Sequence, residues 1–257
     1  MKIDSMRPEI KLIIIFSVIL AAITAALIIG PVAQDPDYHK FADERTILSV
    51  PNFWNVITNL PFVIVGAMGM LLLARGKATG GLVELRTIYF TFFLGVFTTG
   101  IGSAFYHYEP ANRTLVWDRM PITVSFMAFF SAVTGEYISI NAGRKLVWPL
   151  TALGIFSVLY WYRTELRGAG DLRLYALVQY LPVLLTPVIL LLYKPKLSPV
   201  CYLWSVVGAY GVAKVAESLD GQLYGGMKII SGHSIKHLAA AIGAFMFYQA
   251  LRRRNMV

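Results

Sequence analysis

Residues Gly102–Pro121 read GSAFYHYEPANRTLVWDRMP. The stretch ends one apolar run and carries a carboxylate, Asp118, to the start of the next. Ser103 and His107 stand four residues apart, on one face of a helix. A second fragment, His233-Ser-Ile-Lys-His237, adds two imidazoles one turn apart. Three of the four histidines, a serine and an aspartate therefore fall at the ends of apolar segments.

Working outward, the 257 residues are 57% hydrophobic and only 14% charged, against about 25% charged in soluble domains. Apolar runs of 18 or more residues recur along the chain, which makes it a polytopic, all-α membrane helix bundle. No linker, repeat or low-complexity tract divides it, so residues 1–257 read as one membrane domain. The net charge of +9 comes from short basic clusters between apolar runs. Such clusters are topology signals and attract anionic lipid, and they do not indicate nucleic acid. Cys201 cannot form an internal disulfide and reads as a small buried hydrophobe.

The first run, Leu12 to Val32, exceeds the roughly 7–15-residue core of a signal peptide, and no convincing small-x-small site follows. It is expected to be retained as a helix. Seven further runs are expected at 53–74, 87–107, 119–140, 146–162, 172–193, 199–219 and 230–251. The run at 146–162 is the shortest, and Pro182 and Pro187 interrupt the one at 172–193.

With the amino terminus inside, the cytoplasmic segments carry Lys2, Arg7, Lys11, Arg75, Lys77, Arg86, Arg144, Lys145, Lys194, Lys196 and Arg252 to Arg254. The opposite segments are mixed or acidic, with Asp35, Asp37, Asp43, Glu44, Glu109, Glu165, Asp171 and Asp220. This bias places both ends in the cytoplasm. It also brings Ser103, His107, Asp118, His233 and His237 to the same outer layer of the membrane.

Histidines at i and i+4 direct two imidazoles one way, the spacing of helical zinc sites. With His107 they make three neutral nitrogen ligands and leave a fourth position open, as in catalytic zinc centres. Zinc there would acidify a water and polarise a carbonyl, although affinity order alone admits copper or nickel. Ser234 follows His233, so the glutamate of an H-E-x-x-H protease is absent and the available base is Asp118. Alternatively, Asp118 pairs with Arg119 or marks a helix start, and Ser103 bonds the carbonyl four residues back. Lys214 and Glu217 read as an i,i+3 pair that, with Asp220, supports the site. His39 reads as a solvated loop residue, and Trp117, Trp161 and Tyr162 as an interfacial belt.

The order S-x-x-x-H, D, H-x-x-x-H, carried by Ser103, His107, Asp118, His233 and His237, resembles the alkaline ceramidase family. That family belongs to the CREST superfamily of membrane hydrolases, which also includes adiponectin-receptor-like proteins. G-x-G-S-x-x-x-H at Gly100–His107, D-R-M-P at Asp118–Pro121, N-F-W-N-V-I-T-N at Asn52–Asn59 and the pair Glu217-Ser218 look like motifs of that family. The resemblance covers roughly Asn52 to the carboxyl end.

It implies a seven-helix catalytic core over 53–251, with zinc on His107, His233 and His237. Asp118 and Ser103 would act on the attacking water and the tetrahedral intermediate. The reaction implied is hydrolysis of ceramide or a related N-acyl lipid to a fatty acid and a sphingoid base or other amine, the lipid entering from the bilayer. The extra first helix, 12–32, looks like bacterial relatives, which implies a bacterial inner membrane. Eukaryotic members bear an acidic calcium site before the Phe-Trp-Asn stretch. Here Asn52 stands where a glutamate is expected, leaving Asp43 and Glu44 as oxygen donors for calcium. The reading from another class is a receptor-type lipid-binding protein that uses the same bundle without catalysis. A transporter would predict inverted repeats around a midplane site, and none is apparent.

Overall fold

The computed structural model describes residues 6–257; Lys2 lies outside them. Among the described residues the regular structure is helical apart from one pair of two-residue strands and an isolated bridge between Ile47 and Val50. The helices are α1 (Pro8–Ile29), α2 (Phe53–Ile57), α3 (Leu60–Ala74), α4 (Arg86–Tyr108), α5 (Asn112–Tyr137), α6 (Ile140–Glu165), α7 (Arg173–Leu192), α8 (Cys201–Ser218), α9 (Asp220–Met227) and α10 (Gly232–Arg253). Among the described residues, four stretches are long and apolar enough to cross a membrane: Pro8–Ile29, Phe53–Ala74, Val83–Tyr108 and Arg173–Leu192. The other expected runs are helical too, but inward-facing polar residues dilute their apolar character. In α5 these include Thr123, Ser131, Thr134 and Glu136, all buried.

Several boundaries differ from the sequence reading. The run 53–74 is broken at Thr58 and Asn59, because Pro61 has no N–H for the Ile57 carbonyl and its ring crowds that turn. The helix expected from 119 starts a full two turns earlier, at Asn112. The run at 146–162 is one part of a 26-residue helix and so is not the shortest. Helix α7 continues through both prolines. Helix α9, unforeseen, lies between α8 and α10.

Helix α1 buries only Ile15 and packs on α7. A helix apolar on every side suits lipid contact better than a packed core. Lys11 sits 5.1 Å from the Tyr193 ring centroid, and the Leu172 N–H donates to the Val32 carbonyl at 2.8 Å, tying both ends of α1 to α7. Cys201 is exposed on α8, a correction to the buried role expected for it.

The main core lies among α3, α4, α5 and α10, around Phe92, Phe93 and Phe247. Phe92 and Phe247 meet edge to face at 4.9 Å, a favoured arrangement of ring quadrupoles. At one end of this core, Arg254 forms two hydrogen bonds, of 2.7 and 2.8 Å, to Glu136, and Tyr89 donates to the same carboxylate at 2.7 Å. The sequence places Arg254 among the basic residues of the cytoplasmic carboxyl end. It is 1% exposed, because the tail folds back and β2 (Asn255–Met256) pairs antiparallel with β1 (Leu197–Ser198).

Candidate metal centre

At the opposite end of the core, the termini of α4, α5 and α10 converge. His107 lies in the last turn of α4 and His233 and His237 in the first turns of α10, all three buried. Their ligand atoms lie within 4.8 Å of one another, a group that could hold a metal ion. The Nε2 atoms of His107 and His233 are 3.3 Å apart. Two nitrogens each about 2.0–2.1 Å from one ion at the tetrahedral angle would stand roughly 3.3–3.4 Å apart. The pair therefore fits a shared ion.

Polar residues around the broken 53–59 stretch, together with Asp220, hold these histidines in place. The Thr58 hydroxyl donates to the Trp54 carbonyl at 2.6 Å, so toward His237 Nδ1, 3.0 Å away, it accepts. That assigns the proton to Nδ1 and leaves Nε2 with its lone pair toward the histidine cluster. Asn52, in the left-handed region at φ 48°, donates its amide to the His107 carbonyl at 2.9 Å. Asn55 Oδ1 accepts from Ser234 Oγ at 2.7 Å and so fixes the first turn of α10. Asp220 accepts from the His233 N–H at 2.7 Å and the Ala42 N–H at 3.0 Å, placing the loop residue Phe41 against the rings of His107 and His233. Asp220, expected near the site, thus lies beside the histidine group.

Close helix approach makes this geometry possible. Pro121 has no N–H to offer the Trp117 carbonyl, and Gly102 of α4 lies against that carbonyl with no room for a Cβ. Asp118 follows immediately. It is buried, its Oδ1 has no hydrogen-bond partner, and Ser103 adjoins the carboxylate. Because α5 starts at Asn112, Asp118 lies in the second turn and is not a helix-start residue. Arg119 is directed elsewhere, so the alternative of an Asp118–Arg119 pair does not hold. Thr99 does bond the carbonyl four residues back, at 2.8 Å; Ser103 has no such bond among the described residues.

Ser103, Asp118 and His237 all line a cavity of about 520 Å³. Its other walls are largely apolar, including Phe92, Val96, Phe126, Phe129, Val183 and Val206. Such a size and lining suit a small-molecule or lipid ligand. Lys214, Glu217 and Lys236 also reach it. Glu217 pairs with Lys214, as expected, and with Lys236 Nζ at 2.9 Å, so one carboxylate serves two ammonium groups.

Other assignments need correction. His39 is not free in solvent: its ring nitrogens meet Tyr106 Oη and Asn112 Oδ1, each at 3.0 Å. Trp161 is fully buried and cannot belong to an interfacial belt. Asp43 and Glu44, the acids left as possible oxygen donors for calcium, are engaged within the chain: Asp43 accepts three hydrogen bonds from Arg45, at 2.7, 2.8 and 3.2 Å, and Glu44 accepts from the Phe41 N–H. Among the described residues, the three histidines are the only group of three or more His, Cys, Asp or Glu donors gathered for an ion.

The sequence reading missed the roles of Asn55, Thr58, Arg119 and Lys236. A signal was present for the first two: polar side chains inside an apolar run need a partner. Searches against protein-family models and curated proteins return no match, and the site stands on its geometry.

Proposed function

We propose that this protein is a zinc-dependent membrane amidase that hydrolyses ceramide or a related N-acyl lipid to a fatty acid and an amine. The observation that carries the proposal is the buried His107–His233–His237 group, of which His237 lines the same largely apolar cavity as Asp118, a buried acid whose Oδ1 has no hydrogen-bond partner. A lipid-binding protein without catalysis has no need of a buried acid beside histidines gathered for a metal.

When bound, zinc supplies a Lewis acid that polarises the amide carbonyl and lowers the pKa of a water. His107, His233 and His237 would hold it, and Thr58 keeps His237 in the ligating tautomer. Asp118 accepts the proton of the attacking water and returns it to the leaving nitrogen. Ser103 donates its hydroxyl proton in a hydrogen bond to the carbonyl oxygen as charge develops there. The C–O bond forms, the C–N bond breaks, and acid and amine separate. The acyl chain lies along the apolar walls formed by α4, α5, α7 and α8, entering laterally where α7 and α8 pack sparsely.

In this reading α3 to α8 and α10 form the seven-helix catalytic core, and α1 is the added helix. The setting is a bacterial inner membrane, with both chain ends cytoplasmic and the site toward the outer face. The test is fatty-acid release from ceramide and other N-acyl lipids in detergent micelles, with a chelator and after zinc is restored. Release that stops on chelation and returns with zinc supports the assignment. No release from any N-acyl lipid under any metal condition transfers it to a lipid-binding receptor.

A further inference from the structure

Arg119 departs from the pattern of the other buried and half-buried cations. Arg254 is paired with Glu136, and Lys214 and Lys236 share Glu217. Arg119 is 5% exposed, yet among the described residues no carboxylate lies within ion-pair distance of it. Its guanidinium sits 4.2 Å from the Trp161 ring centroid, 4.7 Å from that of Tyr175 and 5.3 Å from that of Tyr38. Its Nη2 donates to Gln34 Oε1 at 2.6 Å, while Nη1, also buried, has no partner.

Aromatic faces attract a cation, but they do not supply the lone pairs that a buried guanidinium N–H requires. Tyr38, Gln34, Asp118 and Arg119 all line the cavity of the candidate metal centre. Asp35 reaches its rim but is exposed and accepts from the Asp37 N–H at 2.9 Å. A planar guanidinium held rigid between rings, with an N–H to spare, is suited to a carboxylate or phosphate, which it can bind through two parallel hydrogen bonds.

We infer that Arg119 is an oxyanion-recognition site, so that the substrate is an N-acyl lipid whose amine portion carries a carboxylate or phosphate close to the amide. The inference rests on the amidase reading for the position of the amide. Asp118 and Arg119 line the same cavity, so a substrate with its amide at Asp118 can present an oxyanion to Arg119. The apolar walls receive the acyl chain on the other side. Gln34 and the three rings position Arg119, and Arg119 touches the substrate.

The test uses three lipids of matched chain: N-palmitoylglycine, N-palmitoyl-O-phosphoethanolamine and neutral N-palmitoylethanolamine. Kd is measured for the purified full chain in detergent with a chelator present, so that binding is read without turnover. We expect at least one charged probe to bind about 10- to 100-fold more tightly than the neutral one, the worth of a hydrogen bond to a charged group. The ratio should fall to near one in Arg119→Gln and persist in part in Arg119→Lys. Preference for the first charged probe identifies a carboxylate as the ligand, and preference for the second a phosphate.

Equal affinities for all three in the wild type overturn the site, even if Arg119→Gln fails to fold. An undiminished preference in folded Arg119→Gln overturns the assignment to Arg119. Zinc-dependent hydrolysis is assayed separately. A charge preference without hydrolysis upholds the oxyanion site while removing the amidase.

Discussion

His237 Nδ1 lies 3.0 Å from Thr58 Oγ1, whose own proton goes to the Trp54 carbonyl. The threonine therefore fixes which imidazole nitrogen is free to bind a metal. Supporting hydrogen bonds of this type typically contribute about 10–100-fold to metal affinity. Thr58→Val keeps the shape and removes the acceptor. Its zinc affinity, read by competition with a chromogenic chelator, should fall by about that factor; an unchanged affinity would remove Thr58 from the site.

His237→Ala deletes a ligand. Alanine is the best helix former, so α10 should persist with unchanged circular dichroism. Zinc per chain, measured by elemental analysis, should drop sharply and lipid hydrolysis should cease. Full zinc retention in this variant contradicts the three-histidine centre.

Asp118→Asn preserves volume but not basicity. Zinc content should stay near the wild-type level while turnover falls about 100-fold or more, the typical contribution of a positioned acid or base. A variant that turns over normally would exclude Asp118 from proton transfer.

At the far end of the bundle, Glu136→Gln leaves Arg254 buried without its counter-charge. Breaking one partner of a buried pair costs about 3–5 kcal/mol, which should appear as a lowered unfolding temperature in detergent. Replacing both residues with leucine should recover much of that loss. If Glu136→Gln unfolds at the wild-type temperature, the pair contributes nothing to holding the tail.

The loop before α7 should respond to acid. Hydrogen bonds from Arg173 hold the Asp171 carboxyl down to about 2, against an unfolded value near 3.9. A depressed pKa adds stability that is fully present above the unfolded value and is lost as pH falls from about 4 through 2. The contribution is about 2 kcal/mol. Asp171→Asn should unfold at a lower temperature than the wild type at pH 6, and the two should converge near pH 2. A gap independent of pH would show that the carboxylate is not the source.

What the sequence determined by itself was local. Hydrophobic runs longer than a soluble core helix needs specified a helical membrane protein, because backbone polar groups in lipid must be satisfied within each segment. The i,i+4 spacing put His233 and His237 on one face of α10, and the positions of His107 and Asp118 at run ends identified the end of the bundle to inspect. Only the tertiary structure decided which groups meet. The 3.3 Å approach of His107 to His233 spans 126 residues of chain, and the Thr58–His237 bond spans 179. Neither leaves a periodic trace. Arg119 and Arg254 make the same point: each reads as a basic residue near the end of an apolar run, yet one is buried between aromatic rings and the other against Glu136. A side chain's identity sets its charge, whereas the helices that close over it decide whether water or another residue must satisfy that charge.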